Sequence, residues 1–325
     1  MSSEARVEVI RIGAIEPHGN ADVLGVVMVH GGYPVCVRLS DWQPGALAAY
    51  LPVDSVVDTS RPEFAFLDRP RIKAKRLRGV FSMGLLVPAP DGAQEGDDVT
   101  DALGVTHWDP EAHRSGVHCG GEDEPGPDGW IFPTYTDIEP LRRHRNALVP
   151  SEPVIVSEKL HGANARFAWD GERLWVGSHN RIKRDNDNNT WWTVARQCRL
   201  QERLSDFPKR VFFGEVFGKV QDLHYGIAGV DLRVFDVFDG TTGRYLDDQD
   251  ARNMAAACGL PWVPILYHGP WDPDRTDEWA EGPSTLAGHV REGFVVKPTN
   301  ERYAHMGRVI LKMHGEGYLT RKERN

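Results

Sequence analysis

Residues 7 to about 108 consist largely of short apolar runs separated by turn-forming residues. The runs VEVIRIGAI, VLGVVMV, YPVCVRL and VDSVV are rich in β-branched side chains, and Gly, Pro, Asn and Asp lie between them. This composition predicts short strands joined by tight turns. Several such strands in succession are typical of a small antiparallel barrel, so we expect a β-barrel in this region.

The second half of the chain mixes strands with helices. Residues 109–129 contain almost no large apolar residues, which predicts a linker or surface loop. Runs such as PVIVSEK and RVFFGEVF indicate strands, while residues 188–205 and DDQDARNMAAACG indicate helices, the second ending at Gly259. We predict an α+β chain: a barrel domain at 1–110, a linker at 111–130, and a domain of antiparallel sheets flanked by helices at 131–325.

Composition excludes several classes of protein. The length of 325 residues fits two compact domains. The net charge of −9 provides no global attraction to nucleic acid, so a nucleic-acid partner must be held by local basic patches. We find no apolar run long enough to span a membrane and no signal peptide. The four cysteines form no C-x-x-C pair, which fits a reducing compartment. We expect a cytoplasmic protein without membrane contact.

Lys159 is the first candidate for chemistry. It follows an apolar strand in VSEKLHGAN, and Gly162 comes three residues later. The strand end would hold the amine at a site wall, and the glycine would let the backbone turn and approach a ligand closely. A lysine acts as a nucleophile only when its amine is deprotonated. The alternative is an exposed lysine beside a loop glycine.

Four more charged residues lie within or beside apolar strands. Glu215 and Glu292 are acidic, and Lys297 and Lys312 are basic. A buried charge requires a partner, so the carboxylates would face a cation and the lysines an anion such as phosphate. The alternatives are carboxylates at the surface and lysines that extend to solvent. Together with Lys159, these residues indicate a nucleotide site at which Mg²⁺ would bridge carboxylates and phosphates.

Six ordered segments resemble the motifs of the covalent nucleotidyltransferases, the superfamily of ligases and capping enzymes. SEKLHGAN resembles motif I in the form found in RNA ligase 2-type enzymes. GSHNR, FFGEVFG, RVFDVF, EGFVVK and VILKM follow in the order of motifs Ia, III, IIIa, IV and V. The resemblance covers about residues 133 to 319. It implies an ATP-dependent RNA ligase with an adenylyltransferase domain.

The resemblance also implies a role for each matched residue. Lys159 would form the lysyl–AMP bond, and Lys297 and Lys312 would contact the α-phosphate. Glu215 would contact the ribose or the metal, and Glu292 would hold the metal, either Mg²⁺ or Mn²⁺. The remaining residues assigned to the nucleotide site are Glu158, Gly162, Asn164 (bridging phosphates), Arg181 (ribose or 5′-phosphate strand) and Phe235 (adenine stacking).

The implied reaction joins a 3′-hydroxyl to a 5′-phosphate through lysyl–AMP and an adenylylated 5′ end, with release of pyrophosphate and AMP. One departure is visible, because His314 stands where the family often has a second motif V lysine. His161 is expected to shape the lysine loop through hydrogen bonds rather than to act as a base. Two alternatives stay open: a GTP-specific capping-type guanylyltransferase, and a non-catalytic RNA-binding protein.

The N-terminal region resembles the RNA-binding OB modules of tRNA-binding proteins through RIKAKRLRGVFSMGLLVP. RPRIKAKRLR contains six basic residues in ten, and we assign phosphate-backbone contacts to Lys73, Lys75, Arg76 and Arg78. A solvated basic strand edge is the alternative. An OB module before the ligase motifs resembles the bacterial RNA ligase 5 group, whose members are usually monomers and seal nicks in duplexes with an RNA 3′-hydroxyl strand.

A zinc site is not expected, although four potential ligands lie close together in the sequence. His107, His113, His118 and Cys119 match no ordinary zinc-binding spacing, and the segment is rich in Gly and Pro.

Overall fold

The structure is a computed structural model that describes residues 6–108 and 123–321. The chain divides into two compact units, and neither is one continuous segment. Of the described residues, the N-terminal unit comprises 6–108, 137–145 and 316–321, and the C-terminal unit comprises 123–136 and 146–315. Two short segments of the predicted 131–325 domain thus belong to the N-terminal unit. Most of the predicted linker, with His113, His118 and Cys119, lies outside the described residues.

The N-terminal unit is built from short antiparallel strands, as the apolar runs predicted. Its strands are β1 Glu8–Arg11, β2 Ile15–Pro17, β3 Leu24–Val29, β4 Tyr33–Arg38, β5 Leu47–Leu51, β6 Ser55–Val56, β7 Lys75–Leu77, β8 Val80–Ser82, β9 Leu85–Pro88, β10 Thr106–His107 and β11 Glu139–Pro140, and a short helix, α5, spans Glu316–Leu319. The pairings β1-β5-β9, β2-β3-β4, β6-β10 and β7-β8 form separate sheets. Within the described residues, the expected barrel therefore exists as several small sheets rather than as one closed sheet.

Strand β5 is buried on both faces. Ala49 and Leu51 pack into one hydrophobic core, and Ala48 and Tyr50 pack into another. Successive side chains of a strand point to opposite faces, so β5 supplies both cores. A strand covered on both sides shows no alternation of apolar and polar residues. The run LAAYL therefore lacks the alternation that usually indicates a strand.

The described part of the C-terminal unit contains two large antiparallel sheets. Its strands are β12 Pro153–Lys159, β13 Gly162–Trp169, β14 Leu174–Ser178, β15 Arg210–Gly218, β16 Val230–Asp239, β17 Arg244–Tyr245, β18 Ile265–Pro270, β19 Gly293–Pro298, β20 Tyr303–Ala304, β21 Gly307–Arg308 and β22 Leu311–His314. In the first sheet the order is β22-β19-β12-β18, and in the second it is β14-β13-β15-β16-β17. Strands β20 and β21 form a separate hairpin.

The described part of the C-terminal unit also contains four helices: α1 Thr190–Gln197, α2 Leu200–Arg203, α3 Asp248–Ala257 and α4 Thr276–Ala280, the last preceded by a 3₁₀ turn at Pro273–Arg275. The predicted helix at 188–205 is divided in two, because Arg199 adopts a left-handed conformation with φ of 52°. Helix α3 confirms the second prediction, and Gly259, with φ of 64°, follows its end. Helices α1 to α3 pack on one face of the second sheet around a large hydrophobic core. No helix of the described chain is long and apolar enough to cross a membrane.

Candidate functional site

Lys159, Lys312 and His314 lie close together on one face of the first sheet. Lys159 ends β12 and lies opposite Gly293 of β19. On the other side of β19, Gly293 pairs with His314 and Val295 pairs with Lys312. Because directly opposite residues share a face of a sheet, Lys159, Lys312 and His314 point in the same direction. All three are half-buried, so this face presents a row of positive or polarisable groups.

Glu292 lies immediately before β19 and is the centre of this group. Its Oε1 is 2.6 Å from Nζ of Lys159 and 3.5 Å from Nε2 of His314, and its Oε2 is 3.7 Å from Nδ1 of His161. Burial would raise the pKa of Glu292, but the charge of Lys159 and the contacts with both histidines hold that pKa well below its usual range. Glu292 is therefore ionised at neutral pH.

The second sheet presents polar side chains on the face away from its core. Asn164 of β13 pairs with Glu215 of β15, which pairs with Arg233 of β16. The neighbouring Ala163 and Ala165 are buried in the core, so alternation directs these three side chains to the opposite face. The Oδ1 atom of Asn164 is buried and has no hydrogen-bond partner in the part of the chain that the structure describes. It is available to a ligand.

Gly162 is required by close packing between strands. A Cβ atom at this position would collide with the carbonyl oxygen of Val216 and would lie 3.0 Å from Cγ of Glu215. We expected the glycine to permit a backbone turn and close approach to a ligand. The close approach that the structure shows is to strand β15.

Glu158 points into the interior next to the lysine. Its side chain is buried, and Oε2 accepts hydrogen bonds from the backbone N–H and the hydroxyl of Thr285, at 2.9 and 2.6 Å. Its other oxygen, Oε1, is buried without a hydrogen-bond partner among residues 6–108 and 123–321. A buried acceptor in this condition requires a donor.

Phe235 is partly buried in the C-terminal unit. It packs against a small apolar cluster that includes Leu160 and Phe217, and its ring lies 4.9 Å from the ring of Tyr135. The cluster contains the residue that follows Lys159, so Phe235 lies near the lysine segment. Its stacking on adenine stays a prediction.

Lys297 is not brought to Glu292. Its ammonium lies 3.1 Å from Oδ1 of Asp236 and 3.7 Å from Glu301, in a buried group that also contains Arg308. Lys297 follows Gly293, the residue that pairs with Lys159, by four residues on β19. This separation corresponds to about 13 Å along the strand. Carboxylates therefore lie near its charge in this structure, and the α-phosphate contact expected for Lys297 stays a prediction.

Arg181 lies at the surface, where its guanidinium donates to Oδ2 of Asp123 at 3.1 Å. The other oxygen of Asp123 accepts from buried Lys183. The nucleotide contact expected for Arg181 stays a prediction.

Residues 219–229, between β15 and β16, contain contacts that sequence reasoning missed. Oδ1 of Asp222 lies 2.7 Å from Nε2 of His161, and the hydroxyl of Tyr225 accepts from the backbone N–H of His161 at 2.7 Å. The amide of Gln221 donates to the carbonyl oxygen of Gly162. His161 does shape the lysine loop through hydrogen bonds, but no spacing in the sequence indicated its partners.

The basic residues of the N-terminal unit lie on and beside a hairpin. Lys73, Lys75, Arg76 and Arg78 are exposed, and β7 pairs with β8. Arg76 forms an ion pair with Glu316 at 2.9 Å, which neutralises part of the patch. Contacts of these residues with nucleic acid stay a prediction.

No preformed metal site of three or more His, Cys, Asp or Glu side chains occurs within residues 6–108 and 123–321. Glu292 and Glu215 are the carboxylates from the two sheets that could contribute to such a site. Any metal ion would therefore need further oxygen ligands, from a bound phosphate or from water.

Comparisons with known proteins agree with the fold and the region of the site. An RNA ligase family model matches residues 152–314, and an OB-fold domain model matches residues 6–89. A lysine-to-alanine variant of Naegleria gruberi RNA ligase with ATP and Mn is 23% identical, with 96% of this chain and 98% of that chain covered and a TM-score of 0.81. The same ligase with PPi is 24% identical, with 97% and 98% covered and a TM-score of 0.80. No curated protein matches the chain.

These findings confirm the α+β fold with an N-terminal OB-fold region, and they confirm the implied family. The RNA ligase match spans half of the chain and includes Lys159, Glu215, Glu292 and Lys312. The chain belongs to the RNA ligase family.

Proposed function

We propose that this RNA ligase uses ATP to join 3′-hydroxyl and 5′-phosphate ends, with AMP carried covalently on Lys159. The observation that carries the proposal is the contact of Lys159 with buried Glu292, on the sheet face shared with Lys312 and His314. This arrangement lies inside the region matched by the RNA ligase model. Solved structures of the Naegleria ligase with ATP or AMP and Mn have the same fold.

The first step is an in-line displacement at the α-phosphorus of ATP. The amine of Lys159 loses a proton and forms an N–P bond, and the bond between the α-phosphorus and the bridging oxygen breaks to release pyrophosphate. Charge develops on the phosphate oxygens, and preorganised cations stabilise it. Lys312 is the half-buried cation on the same face, and His314 provides a second donor where the family often has lysine.

Divalent metal ions fit this site with phosphate present. Glu292 is ionised, and its Oε2 has no hydrogen-bond partner in the described chain. Mg²⁺ is usually held by one or two carboxylates together with substrate phosphates and water, which agrees with the lack of a complete protein-only site among the described residues. Glu292 and Glu215 would hold the ion, which would neutralise phosphate charge.

Glu158 supports adenine over guanine. Its unsatisfied buried oxygen requires a hydrogen-bond donor. The exocyclic group of adenine is an amine and donates, whereas guanine carries a carbonyl oxygen at the corresponding position and would face the carboxylate as a second acceptor. This difference disfavours the GTP-specific alternative.

The later steps transfer AMP to a 5′-phosphate and then release it when a 3′-hydroxyl attacks. We propose a nicked duplex with an RNA 3′-hydroxyl strand as the substrate, bound by a monomer. Support comes from the OB-fold region that precedes the ligase region and from its exposed basic residues Lys73, Lys75 and Arg78.

Labelling with nucleotides tests the first step. Wild type, Lys159→Ala and Lys159→Arg are incubated with α-³²P-labelled ATP or GTP and Mg²⁺ or Mn²⁺. We expect an acid-labile adduct on wild type with ATP only, mapped to Lys159 by mass spectrometry. No label on wild type, or equal label on Lys159→Ala, would refute the proposal, and a preference for GTP would support the capping alternative.

Substrate choice is tested with nicked duplexes that differ only in the sugar at the 3′-hydroxyl strand. We expect faster sealing when the nucleotides at that end are RNA. Equal rates for DNA and RNA strands would refute the proposed nick specificity while leaving lysine adenylylation intact.

A further inference from the structure

The loop that follows β15 holds the segment between Lys159 and β13. Asp222, Tyr225 and Gln221 all come from residues 219–229, and all contact His161 or Gly162. Two of these contacts are to backbone atoms and fix the course of the chain. The contact of Asp222 is to the imidazole of His161, so it restrains the orientation of that ring.

His161 lies between two carboxylates. Its side chain is 6% exposed, its Nε2 is 2.7 Å from Asp222 and its Nδ1 is 3.7 Å from Oε2 of Glu292. Oε1 of the same Glu292 is 2.6 Å from Nζ of Lys159. The contacts therefore run continuously from Asp222 through His161 and Glu292 to the nucleophile.

We propose that Asp222 is a positioning residue for lysine adenylylation, acting through His161 on Glu292 and Lys159. This inference rests on the proposed function of Lys159. The hydrogen bond to Asp222 keeps Nε2 directed away from the site and Nδ1 directed at Glu292. That orientation limits where the Glu292 carboxylate, and hence the amine bound to it, can lie. In-line attack is sensitive to such placement, because a displacement of about 1 Å can lower a rate about 100-fold.

We assign Asp222 a contact with His161 and none with ATP, so its effects on the adenylylation rate and on ATP binding should separate. Asp222→Asn keeps the size of the side chain but lets an amide N–H face Nε2, which permits the other ring orientation or tautomer. We expect adenylylation at saturating ATP to slow by about 10–100-fold, by analogy with the loss of a carboxylate that orients a metal-bound histidine. The KM for ATP should stay within about twofold of wild type.

The experiment is single-turnover formation of the labelled adduct by the full chain, at several ATP concentrations, with melting temperature measured in parallel. Asp187→Asn is the matched control, because Asp187 is 97% exposed in the same unit. Asp222→Glu, which retains the charge, should be faster than Asp222→Asn. A wild-type rate for Asp222→Asn, or a change in KM alone, would overturn the inference.

A double-mutant comparison separates positioning from a general loss of stability. If Asp222 acts through His161, then Asp222→Asn should change the rate less than twofold when introduced into His161→Gln. A further loss of about tenfold in that background would overturn the inference, because Asp222 would then act by another route. Failure of wild type to form any adduct would instead refute the proposed function itself.

Discussion

Asp236 carries the largest predicted effect on stability. It is fully buried, and Oδ2 accepts from Nη2 of Arg308 at 2.6 Å and from the hydroxyl of Tyr135 at 2.8 Å. Its Oδ1 accepts from Nζ of Lys297 at 3.1 Å. Asp236→Asn removes the negative charge but keeps the shape of the side chain. The buried cations of Lys297 and Arg308 then have one anion fewer.

The expected loss follows from this geometry. Removing one partner of a buried ion pair destabilises a protein by about 3–5 kcal/mol, because an uncompensated charge stays in the interior. For a unit of this size, 1 kcal/mol corresponds to about 2–4 °C in Tm, so we expect a decrease of about 6–20 °C. Asp231→Asn is the matched control on the same strand. Asp231 is 39% exposed and pairs with Arg233, and we expect a loss below about 1 kcal/mol.

The assay is thermal and urea unfolding of both variants and wild type, followed by circular dichroism across pH. Burial would raise the pKa of Asp236, but Arg308 and Lys297 hold it below the usual value. A depressed carboxyl pKa contributes stability that is complete above the unfolded value of about 3.9 and is lost as pH falls towards the folded value. The gap between wild type and Asp236→Asn should therefore stay constant above about pH 5 and narrow below about pH 4.

A Tm for Asp236→Asn within about 2 °C of wild type would refute the assignment of this cluster as a stabilising element. A gap that widens as the pH falls below about 4 would refute the sign of the pKa shift.

Three further results are expected. Lys312→Ala should slow single-turnover adenylylation by about 100–1000-fold with little change in Tm, whereas Lys297→Met should mainly lower Tm; the reverse pattern would exchange their roles. Gly162→Ala should destabilise the protein by about 1–3 kcal/mol in urea unfolding through collision with β15, and an unchanged midpoint would contradict the packing argument. Lys75→Ala with Arg78→Ala should weaken RNA binding and reduce the salt dependence of log K by about 0.7–0.9 per lost phosphate contact; an unchanged slope in filter binding would argue against this patch.

Most strands were predictable because their local sequences favour the strand conformation that they adopt. PVIVSEK forms β12 at the predicted residues, and RVFFGEVF lies inside β15. The exceptions have physical reasons. Strand β5 is covered on both faces, so its sequence shows no alternation. The break between α1 and α2 occurs at Arg199, a residue type that gives no warning of a left-handed conformation.

The site was predictable where its residues stand on strands. Lys159 and Glu292 meet, since strands β12 and β19 are neighbours and their register is regular. Asp222 and Tyr225 were not predictable, because they reach His161 from a loop about 60 residues away. Loop contacts of this kind depend on tertiary placement and leave no periodic pattern.

Lys297 and Lys312 are both expected to need an anion, but they lie in different surroundings. Both are lysines in apolar strands of one sheet, and the rule that a buried lysine requires an anion applies to both. For Lys297 the anion is within the protein, because β16 brings Asp236 to within 3.1 Å of its ammonium. Lys312 instead pairs with Val295 of β19, close to Gly293, which pairs with both His314 and Lys159. The side chain of Lys312 is half-buried. The sequence specifies that each buried charge needs a counterion, and the pairing of strands decides which groups come within its reach; the contact of Lys312 with a substrate phosphate stays a prediction.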